Sequence, residues 1–401
     1  MANYKVLKNQ LSMFDLSGSC VLQEYVEMPE YNNIDEPEPE ITCKFKFRNQ
    51  KDYLKFKELV SKHIYKGQKF IDGNQSMQEK QSWFPLAVRE SHHVVFDKNN
   101  LKPKFPIYIV SKGRFENNPT RETLLRMNVD FYMIVEKQEK KNYAKYIDPD
   151  KLLVLPDKYK NEYDTFWNDS DKRIGPGAAR NFAWEHSMQN GFDWHWVMDD
   201  NIESFQYFNN NVRAYCLSGA CFAVCEDFVL RYENIALSGL NYTNFCHRHE
   251  GRPPLILNTR IYSCLLINNA IPFRWRGRYN EDTDLSIRAL KGGWCTVQFN
   301  SFLQGKMSTQ KMKGGNTDEF YKQEGTKLKS QMLVDMHPDV ASLTKKFNRW
   351  HHHVNYKVFK HNKLKRKVDF KPKNKINNFG IYVQNVKKHY KKVLQNGKQQ
   401  G

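Results

Sequence analysis

Two adjacent carboxylates, Asp199 and Asp200, close the apolar run Trp194 to Met198 and are followed by Asn201. A short apolar run that ends in polar residues predicts a buried strand. Ligands of open α/β sheets bind outside the carboxyl ends of the strands, which is where this pattern places the two aspartates. Hard divalent cations such as Mg2+ or Mn2+ are held by one or two carboxylates together with nucleotide phosphates. The pair therefore predicts a metal and phosphate site, although many Asp-Asp pairs only cap a helix or face solvent.

A glycine-containing turn lies upstream of this pair and opens a helical pattern from Ala178 to Met188. Small residues let a backbone approach a ligand closely, and the positive end of a helix favours an anion. The turn and the first helical turn therefore predict a contact with a diphosphate. The candidate residues are Arg173, Gly175, Gly177, Arg180 and Asn181.

A second acidic segment, Glu281 to Asp284, precedes apolar residues at helical spacing that end at Gly292-Gly293. The spacing and the glycine stop predict a helix. Acidic residues in a first helical turn are favoured by the helix dipole, so an N-terminal cap is one interpretation of this cluster. Catalysis is the other.

In this order the three segments resemble the glycosyltransferase A (GT-A) superfamily, with its Ala-Arg-Asn helix, its Asp-x-Asp-like metal motif and its later Glu-Asp motif. The closer resemblance is to the TET-associated glycosyltransferases of bacteriophages. It spans roughly residues 104–356, and the metal motif departs from the pattern by ending in Asn201. The stretches that carry it are Pro106 to Arg114, Gly175 to Asn181, Met198 to Ile202 and Arg278 to Asp284.

This resemblance implies sugar transfer from a UDP-sugar to 5-hydroxymethylcytosine, or to a related 5-hydroxymethylpyrimidine, in DNA. It implies that Asp200 binds Mn2+ or Mg2+ directly, while Asp199 binds the metal, a metal-bound water or the ribose. Asp282 corresponds to the general base of the Glu-Asp motif, with Glu281 as the alternate. A base that activates the acceptor hydroxyl implies inversion at the anomeric carbon.

GT-A folds hold the nucleotide over their first two strands, and Ser111, Arg114 and Glu136 occupy the ends of those strands here. The resemblance therefore implies that these three residues contact the donor nucleotide. Lys313, beside Gly314-Gly315, fits a mobile loop that closes over the diphosphate. An ordinary surface position is the alternative for each of these residues.

The GT-A pattern often adds a histidine as a further metal ligand. The chain offers His337 and the triplet His351-His352-His353. We favour His351 and His352, because the segment around them resembles the closing segment of the family. Three adjacent histidines in a basic context suit a phosphate contact equally well.

Positive charge is concentrated at one end of the chain. Residues 346–401 hold 16 Lys and Arg against the single acid Asp369, whereas the whole chain carries +19. A near-neutral body with a basic end is the electrostatic footprint of a nucleic-acid contact. Interleaved aromatic residues favour a folded surface, and a solubilising tail without specific contacts is the alternative.

The composition indicates a globular, cytoplasmic protein of two or three domains. Among the 401 residues, 40% are hydrophobic, and no apolar run approaches the ~20 residues of a membrane helix. Met1 to Leu11 lacks the apolar core of a signal peptide. The eight cysteines include no CxxC pair, which favours buried free thiols over zinc ligation.

Three segments are predicted: a small α+β accessory module with an acidic lead at 1–100, a GT-A catalytic domain at 101–345, and a basic extension at 346–401. In the first, Thr42 to Arg48 alternates as a strand and Asp52 to Ile64 has helical spacing. In the second, strands at 107–110 and 131–135 flank a helix at 118–127. Such alternation predicts a mostly parallel sheet flanked by helices. The resemblance implies that this is an α/β fold of the GT-A type, with a Rossmann-like, mixed but mostly parallel sheet.

Two rival functions follow from the same residues. One is a GT-A glycosyltransferase that acts on a protein or glycan hydroxyl and does not need the basic end for turnover. The other is a non-catalytic DNA-binding protein on a degenerate GT-A scaffold, which binds DNA but neither UDP-sugar nor metal. The transferred sugar and the oligomeric state are not encoded in any motif of the chain.

Overall fold

The computed structural model describes residues 47–63, 102–167, 174–209, 212–247, 253–306, 327–346 and 349–369. Residues 47–63 belong to one compact unit, and the other described residues belong to a second. The first unit contributes helix α1, Gln50–His63, which confirms the helix predicted there. A strand is predicted from Thr42 to Arg48, and its residues 42–46 lie outside the described residues.

The second unit alternates helices with strands, as the sequence pattern predicts. Its described α-helices are α2 (Pro119–Arg126), α3 (Lys140–Tyr143), α4 (Asp157–Asn161), α5 (Gly177–Gln189), α6 (Ala220–Val229), α7 (Glu281–Lys291) and α8 (Lys327–Met336). Short 3-10 turns lie at Lys137–Glu139, Pro149–Lys151 and Tyr356–Phe359. No helix in the described ranges is long and apolar enough to cross a membrane.

Most strands of the second unit join one ten-stranded sheet, and the last two form a separate hairpin. The strands are β1 (Ile107–Val110), β2 (Tyr132–Val135), β3 (Leu152–Val154), β4 (Trp194–Asp199), β5 (Ile202–Asn209), β6 (Val212–Tyr215), β7 (Ile235–Tyr242), β8 (Leu255–Leu257), β9 (Cys264–Asn268), β10 (Cys295–Lys306), β11 (Ala341–Lys346) and β12 (Arg349–Val354).

The order of strands in the large sheet is β3-β2-β1-β4-β9-β7-β10-β5-β6, with β8 paired to β10. Strands β3, β2, β1 and β4 are mutually parallel, as are β7 and β10. The other pairs of the sheet are antiparallel. This mixed sheet with flanking helices confirms the expected α/β fold of the GT-A type.

Both faces of the sheet are buried, which is why strands such as β1 and β9 are apolar along almost their whole length. In β1, Ile107 and Ile109 join one hydrophobic cluster, and Tyr108 between them joins another. Helix α6 packs its apolar residues in the first cluster, and α5 packs Ala183 and Trp184 in the second. The core therefore consists of two apolar layers with the sheet between them.

The order in which strands are added to the sheet changes sides at β1, although β1 and β4 are parallel. Strands β2 and β3 extend from one side of β1, and β4 pairs on its other side with Val110 opposite Asp199. Such a switch point leaves a crevice at the carboxyl ends of the two strands, where α/β proteins bind ligands. Ser111 and Asp200 follow these two strands directly and therefore lie in the crevice.

The described part of the basic extension is part of the second unit and packs within it. Strand β12 pairs with β11, and Asn362 Nδ2 donates to the carbonyl oxygens of Leu290 and Trp294 at 2.8 and 2.7 Å. Asn258 Nδ2 donates to the Phe359 carbonyl at 3.0 Å. Residues 349–369 thus have a fixed position beside α7, while the division of the chain into three domains stays a prediction.

The six cysteines within the described residues are all buried, as expected. Four of them, Cys216, Cys221, Cys225 and Cys264, share one hydrophobic cluster. Burial raises the pKa of the Cys225 and Cys264 thiols, so they stay protonated and pack as small apolar side chains.

A buried ion network anchors helix α7 through Asp284, whose side chain is 0% exposed. This carboxylate accepts from Arg276 and Arg288 and from His337 Nε2, the last two at 2.8 and 2.9 Å. Burial opposes its ionisation, but His337 and Arg288 hold the pKa of Asp284 below its ordinary value. The network fixes the orientation of α7 and therefore of the acidic residues in its first turn.

We expect Asp284→Ala to lower the free energy of unfolding by about 3–5 kcal/mol, because it leaves the half-buried Arg276 and Arg288 and the buried His337 without their shared acceptor. The matched control is Asp339→Ala, since Asp339 pairs with Lys291 while 59% exposed, and such surface pairs contribute less than about 1 kcal/mol. Urea denaturation of both variants measures the difference. Equal losses in the two variants would contradict the structural role of the network.

Candidate active site

Four carboxylates and three cations meet where strands β1, β4 and β10 end and where helix α7 begins. The carboxylates are Asp199, Asp200, Glu281 and Asp282, and the cations are Arg114, Arg180 and Lys306. These positions were predicted separately from the sequence, apart from Lys306. The fold brings them together at the edge of the sheet that the switch point predicts.

Asp200 turns toward the end of β1. Ser111 Oγ donates to its Oδ2 at 2.7 Å, and the Arg114 guanidinium forms an ion pair with its Oδ1. Ser111 Oγ also shares a hydrogen bond with Tyr143 OH at 2.7 Å and accepts one from Asn118 Nδ2. Burial raises the pKa of Asp200, and Arg114 and Ser111 oppose that rise.

Asp199 turns the other way, toward two cations. Its Oδ1 accepts from Arg180 Nη2 at 2.7 Å, and its Oδ2 accepts from Lys306 Nζ at 2.5 Å. Burial opposes ionisation, but the charges of Lys306 and Arg180 hold the pKa of Asp199 well below its ordinary value. Asp199 is therefore a fixed anion.

Arg180 connects β4 to α7. Its guanidinium lies over the Trp275 ring at 4.7 Å and contacts Glu281 Oε1 at 3.0 Å as well as Asp282. The residue is only 2% exposed, so its charge is compensated by these carboxylates and not by water. Arg180 belongs to the first turn of α5 and pairs with three carboxylates. The diphosphate contact expected for it stays a prediction.

Asp282 lies in the first turn of α7, which follows Asn280 with a backbone φ of 54°. Its Oδ2 accepts from the Ser263 backbone N–H at 3.2 Å. Burial raises the pKa of Asp282 to about 7, against the effect of Arg180, and the negative charges of Glu281 and Asp199 add to the rise. This carboxylate can therefore take up and release a proton near neutral pH.

Two neighbouring carboxylates with pKa values pushed apart mark a site for acid–base chemistry. Asp199 stays ionised, whereas Asp282 exchanges a proton in the range where a general base works best. The arrangement fits removal of a proton from a weakly acidic group, such as an alcohol, beside a fixed field of cations. Lys306 and Arg180 supply that field.

The described residues do not form a ready site for the divalent cation that the resemblance implies. The oxygens of Asp199 accept from Arg180 and Lys306, and those of Asp200 accept from Arg114 and Ser111. Within the described ranges, no three His, Cys, Asp or Glu side chains converge as metal ligands. A cation must displace the Lys306 ammonium to reach Asp199 Oδ2.

The two histidines predicted as metal ligands lie on strand β12, where His351 pairs with Thr344 and His352 with Leu343. Burial and the nearby charges of Lys329 and Arg260 lower the pKa of His352 to about 4, so its ring is neutral at physiological pH. Neither joins a three-ligand group with an aspartate in the described part of the chain. Metal ligation by Asp199, Asp200, His351 and His352 stays a prediction.

The remaining predicted residues have other partners. Glu136 forms an ion pair with Lys160, and Asn181 exchanges hydrogen bonds with the Trp275 backbone at 3.0 and 2.9 Å. The predicted contacts of Glu136 with the nucleotide and of Asn181 with the diphosphate remain untested. Arg173 and Lys313 lie outside the described residues.

Both glycines of the predicted phosphate turn have a steric reason to lack a side chain. Gly175 has a φ of +65°, and a Cβ there would lie 2.9 Å from the Arg278 carbonyl oxygen. A Cβ on Gly177 would lie 1.8 Å from Tyr163 OH, which donates to the Gly277 carbonyl at 2.8 Å. The glycines thus bring the start of α5 against the loop before α7.

Lys306 is the functional residue that the sequence analysis missed. It ends β10, a strand whose first ten residues are buried, and its Nζ contacts Ser263 Oγ at 2.8 Å as well as Asp199. The available signal was a charged residue that closes a strand pattern, in which apolar and polar residues alternate from Cys295 to Asn300. Asp199 closes β4 in the same way. The pairing of β10 beside β7, however, cannot be read from local spacing.

The sequence of the chain matches the model of a known protein family. The sequence model of a family described as TET-Associated Glycosyltransferase matches residues 105–315, just over half of the 401 residues. The matched region contains Ser111, Asp199, Asp200, Asp282 and Lys306. A search of curated proteins found no match.

We expect Lys306→Met to bind Mn2+ at least about tenfold more tightly than the unchanged protein. The substitution removes a cation that competes for Asp199 Oδ2, and one charge at contact distance is worth ~4 kcal/mol near a protein surface. Titration calorimetry with Mn2+ alone measures the change, with Lys291→Met as the control for removing a lysine elsewhere. Equal Mn2+ affinity in the two variants would show that the Lys306 ammonium does not compete with Mn2+ for Asp199.

Proposed function

The chain belongs to the TET-associated glycosyltransferase family, and from this premise we propose that it glycosylates DNA. Family membership makes it a sugar-transferring enzyme with a nucleotide-sugar donor. The proposed donor is a UDP-sugar, and the proposed acceptor is the hydroxyl of 5-hydroxymethylcytosine or a related 5-hydroxymethylpyrimidine. The observation that carries the proposal is the Asp282 carboxylate, with its pKa raised to about 7 by burial beside a fixed set of charges.

In the proposed reaction, Asp282 removes the proton from the acceptor hydroxyl. The hydroxyl oxygen forms a bond to the anomeric carbon while the bond from that carbon to the diphosphate breaks, and the diphosphate leaves with the electron pair. Attack opposite the leaving group inverts the anomeric centre. Glu281 is the alternate base, although its Oε1 lies 3.0 Å from Arg180 Nη1.

The charge that develops on the departing diphosphate requires fixed positive groups nearby. Lys306 pairs with Asp199 and is 15% exposed. We propose that its ammonium group pairs with a phosphate of the donor when the donor binds in the crevice. Arg114 lies at the end of β1, where the nucleotide is expected, and is held by Asp200. Assistance by Mn2+ or Mg2+ stays a proposal from the resemblance.

DNA as the acceptor is supported by the charge of the described basic extension. Within its described residues, six lysines and arginines are exposed on strand β12 and the turns after it: Arg349, Lys357, Lys360, Lys363, Lys365 and Lys367. Cations placed in this way bind phosphates by releasing counterions, which makes the affinity fall steeply with salt. The hairpin lies beside α7, the helix that carries Asp282.

The deciding experiment incubates the protein with a panel of UDP-sugars and with DNA that contains cytosine or 5-hydroxymethylcytosine, followed by mass spectrometry of the digested nucleosides. We expect a hexose- or pentose-sized gain on the hydroxymethylated base alone. Parallel reactions with Mn2+ and with a chelator test metal dependence. Slow release of UDP without any gain on DNA would retain the enzyme and reject the DNA acceptor.

Asp282→Asn should lower kcat about 100- to 10,000-fold while leaving UDP-sugar and DNA binding intact, since the amide cannot accept the proton. Glu281→Gln should retain most of the turnover if Asp282 is the base. Single-turnover rates and equilibrium binding of both partners distinguish the two variants. Full activity in Asp282→Asn would reject the assignment of the base.

The pH dependence follows from the raised pKa of Asp282. Because the base works only when deprotonated, kcat/KM should fall about tenfold per pH unit below about 7 and level off above it. Glu281→Gln should move the inflection to lower pH, because the negative charge of Glu281 adds to the rise that burial causes. A flat profile between pH 5 and pH 8 would contradict this role.

A further inference from the structure

A row of aromatic side chains borders the carboxylate cluster. Tyr242 lies at the end of β7, with its ring centroid 4.5 Å from that of Tyr262 and 5.4 Å from that of Phe245. Phe245 is 54% exposed, although it is a large apolar side chain. We call Phe245, Tyr242 and Tyr262 the aromatic ledge.

The aromatic ledge adjoins the atoms of the proposed reaction. Tyr262 directly precedes Ser263, whose backbone N–H donates to Asp282 Oδ2 at 3.2 Å. On the other side, Lys306 Nζ lies 5.8 Å from the centre of the Tyr242 ring and 2.8 Å from Ser263 Oγ. A planar molecule that stacks on the aromatic ledge therefore has its edge close to both the Asp282 carboxylate and the Lys306 ammonium.

Beyond Tyr262, the ledge continues into planar and polar groups. The Arg260 guanidinium lies 5.2 Å from the centre of the Tyr262 ring. The Tyr356 hydroxyl and the His352 Nδ1 are buried and have no hydrogen-bond partner in the described part of the chain. Buried polar atoms without partners are costly, and at a functional site they are commonly satisfied by a ligand.

The catalytic carboxylate is recessed. The Asp282 side chain is 15% exposed, and Arg180 beneath it is 3% exposed. A hydroxymethyl group on a stacked base extends into the major groove by only one carbon and one oxygen. While the base stays within the duplex, this short group cannot reach the recessed Asp282 carboxylate. An extruded base can enter the site and bring the group to it.

We propose that the acceptor base leaves the DNA helix and binds against Tyr262 and Arg260, with its hydrogen-bonding edge toward Tyr356 and His352. This inference rests on the proposed function, and it adds the conformation of the acceptor and the residues that recognise it. Aromatic rings and guanidinium planes are the groups on which unstacked bases rest. The two unpartnered polar atoms supply hydrogen bonds to the base edge.

The first test compares three DNA substrates of one sequence that carry 5-hydroxymethylcytosine in a paired duplex, opposite a mismatch, or in a single strand. Extrusion predicts a kcat/KM at least about tenfold higher for the mismatched site than for the paired site, because unpairing has already occurred. Equal kcat/KM for the paired and mismatched sites would overturn extrusion.

The second test uses Tyr356→Phe, which removes a hydroxyl that has no hydrogen-bond partner in the described residues. The variant should keep its melting temperature, while kcat/KM for DNA falls about two- to tenfold. Tyr262→Ala should lose at least about fivefold by the same measure, since base stacking on one ring is worth ~1–3 kcal/mol. Tyr215→Ala is the matched control, because Tyr215 is a 66% exposed aromatic residue on edge strand β6.

The outcomes separate the two proposals. If UDP-sugar is hydrolysed and none of the three DNA substrates gains a sugar, the DNA acceptor is rejected and the inference falls with it. If all three gain sugar at equal rates, and Tyr262→Ala and Tyr356→Phe match Tyr215→Ala, DNA glycosylation stands and the acceptor site is overturned. A preference for the mismatched substrate that is weakened by Tyr262→Ala supports both.

Discussion

The ion pairs of Arg180 are the interaction on which the site depends. This guanidinium is nearly inaccessible to water, and it joins Asp199 at the end of a central strand to Glu281 and Asp282 at the start of a later helix. Burial of one such charge without partners is costly, and so is burial of three carboxylates. Together they compensate each other, and the positions of β4, α5 and α7 become linked through a single side chain.

This linkage divides the acids into different roles. Asp199 receives two cations and stays ionised, whereas Asp282 shares Arg180 with two other carboxylates and holds its proton more tightly. The same residue types, a few ångströms apart, therefore differ in proton affinity because their partners differ. An enzyme that must remove a proton beside a negatively charged leaving group needs one carboxylate of raised pKa near another that stays ionised. The fold provides this difference in pKa with two aspartates.

Much of this fold was predictable from local patterns. The strand at Ile107–Val110 and the helices at Gly177–Gln189 and Glu281–Lys291 agree with the spacing of apolar residues, and the family resemblance is confirmed. Local spacing does not show which strands become neighbours, so it could not reveal that β10 delivers Lys306 to Asp199. For the same reason it did not show that Arg180 contacts Glu281 and Asp282, which are 101 and 102 residues away.

Those distances along the chain bear on how the protein acquires its activity. Arg180 and Asp282 are 102 residues apart, Lys306 and Asp199 are 107 apart, and Arg114 and Asp200 are 86 apart. Contacts of such long range form only after large loops have closed, which makes the folding of sheets like this one slow. The charged cluster is therefore assembled at a late stage of folding, when β10 has joined the sheet. A nascent chain that has not yet incorporated this strand lacks the complete constellation, so catalytic competence arrives with the finished fold and not before.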